Sequence, residues 1–266
     1  MIGYLSYFKV RLIAGLQYKV SAIAGLATAF FWAIMFCCIY GSFYSNATIP
    51  DMSFKAIITY TWLKQAFLSL TYMNDKDSEI LNSITDGTVA YELARPYNLF
   101  SWWYIKILAH KFSAAFLKFL PVLLVGLIMP KPYNLSLPNS FPSFILFVIS
   151  LILGAVLLCG ILMIIHSVAF FTINYKGIFS ISTNVMMLLS GYVIPIPLLP
   201  NIVQKLTFYL PFRLLSDSSY RIYSGNINIP DAIFDIKLQL IWIVIIIVIG
   251  YLIMNKALKK VSVQGG

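Results

Sequence analysis

Residues 75–98, "DKDSEILNSITDGTVAYELARPYN", decide how the whole chain is read. They lie between two strongly apolar segments, yet they hold Asp75, Asp77, Glu79, Asp86 and Glu92, five of the nine acidic residues in the chain. Ile80, Leu81, Ile84 and Tyr91 mark an apolar stripe, and acids and Asn82 fill the other faces. Asp86-Gly87 is a turn signal. Arg95-Pro96 closes the segment, because a residue before proline leaves the helical region. The pattern predicts a short amphipathic helix, a bend and a second short element. A helix of this kind needs an apolar groove, and its acidic flank favours a basic rim. A protein partner supplies both, whereas anionic lipid repels an acidic helix.

The surroundings of this segment belong in a bilayer. The chain of 266 residues is 60% hydrophobic and 11% charged, with a mean hydropathy of +0.86. Soluble domains average roughly 45–50% apolar and about 25% charged residues, so this chain has too little charge to cover a surface in water. The net charge of +10 is scattered beside apolar spans, the pattern of a positive cytoplasmic face rather than of a nucleic-acid binder. Cys37, Cys38 and Cys159 all fall in apolar segments, which implies structural thiols and neither a disulfide framework nor a metal site.

A helix needs about 20 apolar residues to cross the hydrocarbon. Six segments meet this: Val20–Tyr44, Phe54–Met73, the run from "WWYIKILAHKF" to Met129, Pro142–Phe171, Gly177–Ile194 and Ile236–Asn255. Backbone in lipid must be satisfied internally, so these are helices. Lys9, Arg11 and Lys19 precede the first and Lys256, Lys259 and Lys260 follow the last, which places both termini in the cytoplasm. Segments 45–53, 130–141 and 195–235 are then external, and 75–98 and the turn at 174–176 are cytoplasmic. The N-terminus is expected not to be a cleavable signal. Leu5, Phe8, Leu12 and Leu16 recur at helical spacing and predict an amphipathic helix in the inner interface. The expectation is one all-α integral membrane domain over 1–266: an amphipathic helix at 1–19, six transmembrane helices, a cytoplasmic loop at 74–98 and an external region at 195–235.

That external region is itself unusual. Pro195, Pro197 and Pro200 cannot lie in an uninterrupted helix interior, yet "LLPNIVQKLTFYLPF" is too apolar for a solvated loop. Short helices dipping into the outer leaflet or capping a cavity resolve the conflict, since irregular backbone is tolerated there when protein or water satisfies it.

Within the spans, basic residues stand out. Lys64 falls near the middle of the second span. Lys106, His110 and Lys118 fall at multiples of four in the third, with Lys111 seven before Lys118, so they share a face. Charge at mid-bilayer costs at least about 2.5–3.5 kcal/mol and faces protein or water. Snorkelling accounts for Lys106 and Lys111 near the cytoplasmic edge. For Lys64 and Lys118, anchoring and a basic wall suited to an anionic or amphiphilic substrate both stay open. His166, alone among apolar residues, is read as satisfied by a neighbouring carbonyl. Pro121 is expected to kink the third span, and Gly126 and Gly154 to allow close helix contact.

"GTVAYELARPYN", running into an aromatic-rich helix start, resembles the cytoplasmic loop of permease subunits from bacterial type-2 ABC exporters, whose pattern is carried here by Gly87, Ala90, Leu93, Arg95 and Pro96. A second stretch, "SGYVIPIPLLPNIVQKLTFYLPFRLLSDSSYRIYSGNI", resembles the same family's break between the fifth and sixth spans, with Gly191, Pro195, Pro197, Pro200, Leu210, Pro211, Phe212 and Gly225 at the matching positions. The resemblance implies a coupling helix between spans two and three, docked on an ATPase subunit through Glu79, Ile80, Leu81, Ile84, Asp86, Gly87, Tyr91, Glu92 and Arg95. It implies re-entrant external helices, an amphipathic connecting helix, a place in the bacterial plasma membrane, and a complex of two permease subunits, identical or paralogous, with two ATPase copies. ATP and magnesium would be held by that ATPase and no cofactor by this chain, which has no G-x-x-x-x-G-K-[ST] phosphate loop. Drugs, peptides and lipids are the implied cargo classes. A non-transporting membrane scaffold or sensor using the same loop is the alternative, and a membrane-embedded enzyme a more distant one, since Arg213, Asp217, Tyr220 and Arg221 come without metal or nucleophile spacing.

Overall fold

The computed structural model describes residues 2–17, 19–46, 51–172 and 175–259. Residues 47–50, the expected turn residues 173–174 and Lys260 lie outside the described residues. The described chain is all helical: α1 (Ile2–Leu16), α2 (Lys19–Asn46), α3 (Phe54–Ala66), α4 (Leu68–Thr71), α5 (Ser78–Thr85), α6 (Val89–Leu93), α7 (Leu99–Ile128), α8 (Phe141–Val168), α9 (Tyr175–Leu189), α10 (Asn201–Phe208), α11 (Asp217–Tyr223) and α12 (Ile229–Leu258).

Local chemistry sets the starts. Ser53, Asp77, Asn98, Ser140 and Asn228 each place a side-chain oxygen on a free N–H of the first turn, at 2.9–3.2 Å; such caps are worth about 1 kcal/mol each. Proline follows the cap within α8 and α12, where its missing N–H costs nothing. Pro121 lies inside α7, which nonetheless runs on to Ile128.

Among the described residues, four stretches are long and apolar enough to cross a membrane: Ile23–Ser45, Leu99–Ile128, Phe141–Phe171 and Ile229–Leu258. The other two expected spans are less regular. The second breaks at Phe67, the shared cap of α3 and α4. The fifth contracts to the 15 residues of α9, about 22 Å of helix, because Gly191 turns the chain away in a left-handed conformation with φ +75°.

The most extensive pairing joins α8 and α12, with α11 against α8 and α3 against α2 and α7. Two glycines let backbone approach as the sequence predicts: Gly126 lies under the Trp62 ring, and Gly154 under the carbonyls of Leu214 and Leu215. Apolar residues such as Phe31, Ile34, Leu124, Ile241 and Val248 face outward, the arrangement of a protein solvated by lipid rather than water.

Helix α1 follows α7 in the same direction, Tyr4 beside Asn98, Tyr7 on Trp102 and Gly15 against Ser113. The contact face is Tyr4, Tyr7, Arg11 and Gly15. Of the expected apolar stripe, Phe8, Leu12 and Leu16 are half-buried, and Leu5 points outward with Val10 and Ile13.

Candidate functional site

The 75–98 segment is folded as the sequence predicts, a short helix, a left-handed turn at Gly87 (φ +73°) and a second short helix. Its charges, however, face inward. Lys106 on α7 donates to Asp77 Oδ1 at 2.9 Å and stands 2.5 Å from Glu79 Oε2. Lys111 donates to the Tyr72 carbonyl at 2.8 Å and to Asp75 Oδ2 at 3.2 Å. Arg11 of α1 reaches Glu79 at 3.4 Å. The reading of Lys106 and Lys111 as snorkelling anchors is therefore corrected. Both are buried, and charge at low exposure requires a partner, which the alternating acids 75, 77 and 79 provide.

His166 completes this clamp. Its Nδ1 lies 2.7 Å from the Leu162 carbonyl and its Nε2 accepts from the Asp77 N–H at 3.3 Å, so the imidazole carries its proton on Nδ1. The expected carbonyl contact is present, together with a second contact that reaches the loop. Farther along, Glu92 accepts from Trp103 Nε1 at 2.6 Å, and Trp102 is stacked between Tyr7 and Tyr97. The Lys106 ammonium holds the Glu79 carboxyl below its ordinary value, through its hydrogen bond first.

These anchors divide the predicted docking residues in two. Ile80 and Leu81 are 1% exposed and Ile84 is half-buried on the same core as Met73 and Trp103. They fasten α5 to its own chain and are corrected as an outward stripe. Glu79 and Glu92 are engaged by α7. What faces outward together is Asp86, Gly87, Tyr91, Leu93 and Arg95, with Tyr91 76% exposed.

At the opposite end of the bundle, buried Asp217 organises the proline-rich break. Its Oδ1 lies 3.1 Å from both the Tyr60 hydroxyl and the Ile196 N–H, and Arg221 approaches Oδ2 at 3.3 Å. Tyr60 also donates to the Gly191 carbonyl at 2.9 Å. Pro195, Pro197 and Pro211 are buried, Phe212 half-buried and Pro200 exposed at the start of α10. Beside them Arg213 makes a bidentate pair with Asp235 at 2.6 and 2.7 Å, and Gln239 donates to the carbonyls of Ser150 and Leu214. Sequence reasoning noted Arg213 and Asp217 but missed Tyr60, Asp235 and Gln239, whose partners lie 22 to 157 residues away.

The two intramembrane lysines are not brought together. Lys64 is buried, donating to the Tyr192 carbonyl at 3.3 Å with its ammonium 4.0 Å from the Phe36 ring centre. Lys118 lies against Gly25, where a Cβ would come within 2.7 Å of its Nζ, and lines a pocket of about 530 Å³ between α1, the 75–79 segment and α7. Among the described residues no group of three or more His, Cys, Asp or Glu side chains is arranged to hold a metal ion.

The bundle, the clamped loop and the proline-rich break extend over one contiguous chain, and so does the comparison with known families. No curated protein matches the sequence. The family model described as "ABC-2 family transporter protein" matches residues 21–265, nearly the full length, and the chain therefore belongs to the ABC-2 family of membrane transporter proteins.

Proposed function

We propose that this permease exports its substrate across the bacterial plasma membrane, driven by a separate ATPase that docks on the 75–98 loop. The observation that carries the reading is the clamp. Lys106 and Lys111 join the loop to α7 through Asp75, Asp77 and Glu79, so a force on the loop is delivered to a membrane helix rather than lost in a slack connector. The outward face of Asp86, Gly87, Tyr91, Leu93 and Arg95 is where the ATPase engages. ATP and magnesium sit in that subunit.

In this reading α3–α4 and α9 complete a six-span layout with both termini in the cytoplasm. The 18 residues from Phe54 to Thr71 reach about 27 Å, close to the hydrocarbon thickness of about 30 Å. The proline-rich segment between α9 and α12 forms the external cap. Six helices enclose too narrow a conduit for a large cargo, so two permease subunits, identical or paralogous, pair over two ATPases. Closure of the ATPase pair moves the loop, tilts α3 and α7, and opens the path beneath the cap.

Co-purification tests this. Tyr91→Asp is expected to release a co-expressed ABC ATPase partner, while Leu5→Ala, on the far side of α1, leaves it bound. Equal retention by both variants would refute docking at this face.

A further inference from the structure

We propose that the pocket between α1, residues 75–79 and α7 holds the phosphate headgroup of a resident anionic phospholipid. The inference rests on the membrane orientation given above and not on ATPase coupling. The pocket, about 530 Å³, receives acids and bases from three elements, and most of them neutralise one another. Asp75 is taken by Lys111, and Asp77 and Glu79 by Lys106 and Arg11. Lys76 is drawn toward the Phe179 ring, 5.6 Å from its centre. Two basic side chains on the α7 wall remain, Lys118 and His110. Neither has a hydrogen bond or ion pair among the described residues, and both line the cavity.

An unpaired ammonium on a transmembrane helix faces water or an anion. Here the space around it is prepared by the backbone: Gly25 leaves the volume that the Lys118 head occupies. Between Lys118 and His110 the wall is Ala114 and Leu117, with Ala14 across from them. On α1 the lining residues Arg11 and Ala14 adjoin Val10 and Ile13, which are exposed to the surroundings of the bundle. A cationic floor beside apolar walls fits an amphiphile with a negative head. Basic pockets between helices on the cytoplasmic side bind such headgroups. A zwitterionic lipid would bring its own cation to a site already carrying surplus positive charge.

The test uses the full-length chain, purified in detergent, stripped of lipid and titrated with phosphatidylglycerol or phosphatidylethanolamine while bound lipid is counted by native mass spectrometry. Phosphatidylglycerol is expected to bind with at least a five-fold preference, the ratio that about 1 kcal/mol for one basic side chain produces. Lys118→Ala and His110→Ala should each remove that preference and Lys118→Arg retain it. Lys205→Ala, an exposed lysine on α10 away from this pocket, should leave it unchanged. Should Lys118→Ala fail to fold, Leu117→Trp, which fills the cavity, supplies the same reading. Equal binding of the two lipids, or an unchanged preference in the pocket variants, would overturn the proposal. So would ATP-driven transfer of the bound phosphatidylglycerol to the outer leaflet, which would make it cargo. Failure in any of these forms leaves the ATPase co-purification result standing.

Discussion

The Lys106 ammonium lies 2.9 Å from the Asp77 carboxylate that caps α5, so one acidic side chain both starts the loop helix and fastens it to α7. Removing Lys106 therefore acts twice, leaving a cap unbalanced and a poorly exposed carboxylate alone. An unpaired partner of a charged hydrogen bond costs about 1–3 kcal/mol. Lys106→Ala should raise amide exchange across Ser78–Thr85 by about ten- to a hundredfold, read by mass spectrometry, while Asp77→Asn combined with it adds little. An unchanged exchange rate would show that the clamp does not hold the loop.

Glu79 makes the same junction sensitive to acid. Its carboxyl is held below the ordinary value, first by the hydrogen bond from Lys106, which outweighs the opposing penalty of burial, and then by the charges of Lys106 and Arg11. A carboxyl depressed in the folded state contributes stability that is complete above the unfolded value, about 4.3, and is lost as pH falls through the folded one. Proteolysis of the 75–98 loop should accordingly be flat from neutral pH down to about 4.3 and quicken below it. Glu79→Gln should be more susceptible at neutral pH and lack that acid step.

The pair Arg213–Asp235 is the most enclosed ion pair among the described residues, each side chain 4% exposed, with Ser218 and the Phe208 carbonyl taking further guanidinium donors. Breaking a buried pair from one side costs about 3–5 kcal/mol, whereas replacing both partners by apolar groups is often neutral. Asp235→Ala should sharply lower the thermal midpoint and yield of the purified protein. The double variant Arg213→Met, Asp235→Leu should recover most of the loss. Equal loss in single and double variants would mean that the pair also does something no apolar contact replaces.

How much of this was legible in the sequence follows from the range of the interactions. The loop helix, its Gly87 turn and its end at Arg95-Pro96 depend on neighbours in the chain, and their signals are local. The four long apolar stretches depend on composition alone. Which way the loop's acids point depends on Lys106 and Lys111, some thirty residues onward, and a single sequence carries no record of that pairing. The same holds for Ile80 and Leu81. Their spacing announces a buried face without stating whether this chain or another covers it. Asp217 was visible only as a charge in an apolar region, since Tyr60 and Ile196 reach it from distant segments.

Two glycines separate strain from crowding. Gly87 and Gly191 both adopt left-handed backbone, at φ +73° and +75°, but a Cβ at Gly87 meets nothing within 4 Å, whereas one at Gly191 would lie 2.7 Å from Asp217 Oδ1. Left-handed backbone costs a non-glycine residue about 1–2 kcal/mol. Gly87→Ala should lose about that much in local loop stability and leave the thermal midpoint of the bundle nearly unchanged, because the turn is exposed. Gly191→Ala should lose more, since the added methyl displaces the carboxylate that Tyr60, Ile196 and Arg221 share. Thermal unfolding of the two variants side by side measures the difference, and Asp217→Asn provides the reference for a disturbed network. If the two glycine variants melt alike, Asp217 is not the residue that holds the proline-rich segment against α3.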